Sequence, residues 1–176
     1  MSHPMKKNIC AFLALVFLSL LLGGCSHLSV KHLNRRPWVL EAGQELKMKY
    51  LRFEFQVLPM KDRFGVRGTA YPLDVIPGWG EWIRDLWLEA YLSDADGRVM
   101  ARDLHVYLPK KLDYEKGLEF EFILKPEELG SGGELFITFG YRMVLSDYQY
   151  SGTEDKGGIT NGPMVFRAFE KAVSRF

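Results

Sequence analysis

From Glu45 onward the apolar positions recur at every second residue. Leu51, Phe53, Phe55 and Val57 alternate with Arg52, Glu54 and Gln56, the pattern of a strand with one face in a core and the other in water. Pro59 to Asp62 reads as a turn, and Phe64, Val66 and Gly68 to Tyr71 as the partner strand, closed by Pro72. Gly65 and Gly68 mark places for a bulge or a close neighbour. After an irregular stretch punctuated by Pro77, Gly78 and Gly80, Leu86, Leu88, Ala90 and Leu92 share a face. Asp94-Ala95-Asp96-Gly97 then predicts a hairpin loop with glycine in the left-handed region. Val99, Ala101, Leu104, Val106 and Leu108 carry the return strand, and the change of parity between Ala101 and Leu104 predicts a bulge near Arg102-Asp103. Leu118, Phe120, Phe122 and Leu124 alternate most regularly of all, and Leu135 to Met143 gives one more long strand.

About seven strands with turn residues between them predict an all-β fold, a single antiparallel β-sandwich over residues 43–176. The C-terminal segment reads two ways. Val165, Ala168, Phe169, Ala172 and Phe176 have helical spacing behind Pro163, which predicts a short C-terminal helix; Met164, Phe166 and Ala168 would equally suit a strand. Between Asp147 and Pro163 lies a polar, glycine-rich stretch whose length makes it either a functional loop or a mobile one.

The N-terminus follows a different pattern. Fourteen residues, Ile9 to Leu22, are apolar except for Ser19, with Lys6 and Lys7 in front and Gly23-Gly24-Cys25 behind. A cationic start, an apolar run and small residues before a cut describe a secretory signal peptide over residues 1–24, and the run is too short to span a bilayer. Leu22-Gly23-Gly24-Cys25 resembles the bacterial lipobox, which implies acylation of Cys25 and attachment to membrane through that lipid. Ser26, where an aspartate would favour inner-membrane retention, implies an outer-membrane lipoprotein facing the periplasm. Residues 25–42 read as the lipidated N-terminus and a solvated tether, carrying His27, Lys31, His32, Arg35 and Arg36, with Trp38, Val39 and Leu40 after Pro37 the first piece to dock on the domain.

Charge narrows the partners. The whole chain has 23 Lys+Arg and 22 Asp+Glu, and removing Lys6 and Lys7 leaves 21 basic against 22 acidic residues. That balance is unlike a nucleic-acid binder, which concentrates positive charge. Cys10 leaves with the signal, so the mature chain has neither disulfide nor thiolate metal site.

The block from Val66 to Leu124 resembles the FxLYD-type and LEA-like immunoglobulin-like accessory domains. The matching pieces are Gly68-Thr69-Ala70, Trp87 to Asp94, Gly97-Arg98-Val99, and Phe120 with Phe122. The resemblance implies an immunoglobulin-like sandwich serving adhesion or assembly rather than catalysis. Tyr71 stands where those domains usually carry asparagine. Gly78-Trp79-Gly80-Glu81-Trp82 resembles the Gly-x-Trp of lipocalins, although it follows two strands instead of opening the first.

Candidate site residues are mostly aromatic. Trp79 and Trp82 in a Pro/Gly loop, with Tyr71 nearby in sequence, suit stacking on a sugar ring or anchoring an interface; they equally suit plugging the sandwich end. Trp87 reads as packing. Tyr148 and Tyr150, beside Ser151-Gly152, suit a second partner-binding pair, although the stretch also reads as a disordered polar loop. Asp94 and Asp96 lack the further ligands of a calcium loop, so no metal or cofactor is expected. Beyond residue 32, His105 is the only histidine, and no nucleophile elbow or phosphate-cradling loop is present. These features predict a lipid-anchored, non-enzymatic binding or structural module for an envelope protein or glycan. A lipocalin-like barrel carrying a small apolar ligand is the alternative, and an envelope hydrolase the third reading.

Overall fold

The computed structural model of the protein describes residues 26–126, 133–149 and 164–175. Residues 1–25, which include Cys25 and the segment read as a signal, Tyr150 and most of the 147–163 stretch lie outside the described residues, as do residues 127–132. Within them the fold is all-β and antiparallel. The strands are β1 (His27–Ser29), β2 (Arg36–Pro37), β3 (Gly43–Lys47), β4 (Leu51–Pro59), β5 (Phe64–Pro72), β6 (Trp82–Ser93), β7 (Val99–Tyr107), β8 (Lys110–Lys111), β9 (Leu118–Leu124), β10 (Phe136–Ser146), β11 (Val165–Glu170) and β12 (Val173–Arg175).

Eight of them build two sheets, ordered β3-β4-β5-β9 and β11-β10-β6-β7. The chain crosses between sheets after β5, β7 and β9, so β9 lies beside β5 and β10 beside β6. This is the Greek key of an immunoglobulin-like sandwich. The short strands β2 and β8 extend the second sheet, and β1 pairs with β12. The inward alternating positions fill the space between the sheets. Phe139 of β10 stacks on Phe53 at 4.3 Å between centroids and meets Phe55 edge-on at 5.0 Å, with Phe120 5.4 Å away. Phe53, Phe122 and Phe139 are fully buried, so rings from both sheets close the centre.

Three sequence expectations change. The C-terminal segment is strand, not helix: β11 pairs with Tyr141–Ser146 of β10 and turns Phe166, Ala168 and Glu170 inward. The open edge of β10 satisfies the backbone there, and an edge left bare is a liability. Gly68 has the expected close neighbour, since a Cβ there would lie 2.0 Å from the Glu54 carbonyl oxygen, yet the β4–β5 register runs without a bulge.

The bulge on β7 lies at Val99–Ala101, opposite Leu92 and Ser93, not at Arg102-Asp103. From Ala101 to Tyr107 the alternation is unbroken, with Asp103, His105 and Tyr107 on the side of Ala101. Leu104 and Val106 therefore face outward and are exposed. The inward polar groups close the seam between the sheets: an Asp103 oxygen accepts the Ile123 N–H at 2.7 Å, and the Tyr107 hydroxyl donates to the Glu119 carbonyl at 2.6 Å.

The third change concerns the expected tether. Residues 26–42 are folded against the domain rather than free in water. Val30 is fully buried and Leu33 nearly so. The Val30 N–H bonds the Gly97 carbonyl at 2.8 Å, Arg35 donates to the Asp94 carbonyl at 3.0 Å, and β2 pairs with Phe136 and Ile137. Trp38 sits edge-on to Phe64 at 5.2 Å. Gly97 makes this docking possible: its φ is +82°, and a Cβ would lie 2.7 Å from the Lys31 nitrogen. The physical reason is burial, because the two aliphatic side chains lose water by packing on the sandwich.

Candidate functional site

The outer face of the β11-β10-β6-β7 sheet is covered at one end and bare at the other. At the covered end, the Tyr91 ring lies so close to Gly140 that a Cβ there would be 2.8 Å from it. Its hydroxyl donates to Glu89 and accepts the Ala172 N–H, while Thr138 donates to the Asn34 carbonyl. The N-terminal segment and the run from Lys171 into β12 thus roof this half.

On the bare half the register sets one row across all four strands. Val106 of β7 faces Trp87 of β6, Trp87 faces Arg142 of β10, and Arg142 faces Phe169 of β11. Phe169 is 72% exposed, Val106 54% and Trp87 38%. Leu104 on β7 and Leu108 just past its end add further exposed apolar side chains. Trp87 is therefore a surface residue, contrary to the packing role expected for it. Outward alternation from buried Leu86 and Leu88 requires this orientation. The Arg142 guanidinium lies 5.4 Å from the Trp87 ring centroid and 3.3 Å from an Asp85 oxygen. A shallow groove of about 400 Å³ beside it is lined by Arg142, Val144, Arg167, Phe169 and Lys171, among others.

Cations outnumber acids here. Arg102, Arg142, Arg167 and Lys171 surround Asp85 and Glu89. Partial burial pushes the Glu89 carboxyl above its ordinary value, while Arg102 and Lys171 pull it back. The opposite sheet's outer face carries Glu45, Glu54, Glu119 and Glu121 with Lys47, Arg52 and Arg67.

At the end of the bare face remote from the β6–β7 turn, a cleft of about 420 Å³ is lined by Trp82, Ile83, Arg84, Pro109, Tyr148 and Gln149. Trp82 and Tyr148, widely separated in sequence, thus share one site. Trp79 is half-buried in the β5–β6 loop and does not line that cleft. Tyr71 lies on the other sheet, where the Arg52 guanidinium stacks 4.8 Å above its ring. Asp94 belongs to a hairpin turn, its carboxylate accepting the Arg98 N–H at 2.8 Å. Among the described residues no group of three or more His, Cys, Asp or Glu side chains could hold a metal ion.

The exposed row Leu104, Val106, Leu108 and Phe169 is absent from the sequence-derived site. Apolar residues on both parities of β7 hide it, and only the pairing with β6 settles which of them face outward. No protein-family model, curated protein or solved structure matches the chain. Its own surface must therefore carry the functional argument.

Proposed function

We propose that this chain is a bacterial lipoprotein, acylated on Cys25 and anchored in the outer membrane facing the periplasm. It acts there as a non-enzymatic binding or structural module for an envelope protein or glycan. The observation that carries this reading is the cleft that Trp82 and Tyr148 share at one end of the bare, partly apolar face of the β11-β10-β6-β7 sheet. Contiguous exposed apolar and aromatic side chains on a folded domain mark interaction surfaces. The Trp82–Tyr148 cleft gives that face a concave, aromatic recess suited to a sugar ring or a partner side chain.

Two measurements test this. Cells labelled with radioactive palmitate should show a labelled wild-type band and an unlabelled Cys25→Ser band; equal incorporation would refute the anchor. Crosslinking in envelopes should recover partners with wild type that are lost with Trp82→Ala/Tyr148→Ala. An unchanged set of partners from a folded double variant would remove the cleft from the function.

A further inference from the structure

By His27, two residues after the cysteine assigned to the anchor, the chain is already in β1. Ser29 bridges Arg98 in the antiparallel sense, and β1 touches β7. From Ser29 back to His27, β1 therefore runs beside β7 from Arg98 in the direction of Leu104. Two extended residues reach about 7 Å. An acyl group on Cys25 thus leaves no linker to hold the domain away from lipid.

The surface that meets the bilayer is then restricted to what surrounds this exit. Leu104 and Val106 line the outward side of β7, with exposed Leu108 just past its end, and the row through Trp87 and Arg142 to Phe169 extends from it. Arg102, Arg142, Arg167 and Lys171 stand among these apolar groups against Asp85 and Glu89, whereas the far sheet carries four glutamates against three cations. Exposed apolar side chains interspersed with cations are the chemistry of a surface lying on anionic headgroups.

The geometry points to the bare face of the β11-β10-β6-β7 sheet as a lipid-docking surface, held flat on anionic phospholipid headgroups by the anchor on Cys25. The inference rests on acylation of Cys25. Leu104, Val106, Leu108 and Phe169 enter the headgroup layer, and the arginines and Lys171 pair with phosphates. The Trp82–Tyr148 cleft, at the far end of the same face, sits at the lipid–water boundary, where tryptophan and tyrosine are most at home. A partner reaches it from the rim, and the glutamate-bearing sheet faces the aqueous phase.

The test uses the purified full-length lipidated protein in vesicles of phosphatidylethanolamine and phosphatidylglycerol. Single cysteines are placed at Val106→Cys and Phe169→Cys on the bare face and at Glu121→Cys on the opposite sheet. A membrane-impermeant maleimide should label the two bare-face sites at least about tenfold more slowly than Glu121→Cys in the same vesicles. Rates within about twofold of each other, with acyl mass on the N-terminal peptide by mass spectrometry, would overturn docking and leave the anchor standing. An N-terminal peptide without acyl mass would overturn both. Protection that grows with the protein-to-lipid ratio would assign the face to a second copy of the chain and overturn the lipid assignment. Either bare-face variant suffices if the other fails to fold.

Discussion

At the residue scale, the polar side chains that point inward from β7 matter more than their sequence context indicates. Asp103 and Tyr107 occupy core-facing positions because each satisfies a backbone group on the edge of β9, and a buried polar group is tolerated only with a partner. Burial and the nearby Glu119 push the Tyr107 phenol well above its ordinary range, so it stays a protonated donor. Tyr107→Phe should cost about 1 kcal/mol in urea unfolding, the usual net value of one hydrogen bond. Glu89 gives a pH signature. Its folded carboxyl binds its proton more tightly than the unfolded one. The resulting penalty to the folded state begins as pH rises past the ordinary glutamate value of about 4.3 and is complete above the raised folded value. Glu89→Gln should flatten that decline in a pH series of unfolding midpoints. An unchanged slope would show that the carboxyl does not contribute.

At the scale of elements, the strands with a strict two-residue period were legible. β4 and β9 bury every second residue as their phenylalanines and leucines dictate, and the Gly97 turn has the left-handed conformation its loop requires. β7 and β11 were not, because each has apolar residues on both parities. Leu104 and Val106 compete with Ala101 and Tyr107 for the core, and the sheet pairing to Leu86 through Leu92 decides between them. For β11, local spacing allows helix, while the unpaired edge of β10 selects strand. The docking of the N-terminal segment hinges on Gly97. Gly97→Ala combines a strained left-handed residue with a contact against the Lys31 backbone, and should destabilise by about 1–3 kcal/mol. Limited trypsin digestion should then cut after Lys31 faster than in wild type, and unaltered cleavage would show that the turn does not hold the segment.

For the whole molecule, the domain begins earlier than its alternating pattern does. A chain from residue 43 lacks Val30, Leu33 and Trp38, two of them buried and the third packed on Phe64. It should be less stable than a chain from residue 26 by about 3–6 kcal/mol, from the burial of two aliphatic side chains alone. Urea midpoints of the two lengths measure this; equal midpoints would return residues 26–42 to the role of a linker. The near balance of 23 basic and 22 acidic residues likewise conceals an uneven distribution, since summed charge does not record which face a side chain occupies. By itself the sequence determined the all-β class, the antiparallel sandwich and most inward positions, because alternation and turn chemistry are local properties of the chain. Only the tertiary structure decided that Leu104, Val106, Trp87 and Phe169 share a bare surface and that Trp82 meets Tyr148. Those neighbours come from strands distant in sequence, and which face they share depends on pairing register.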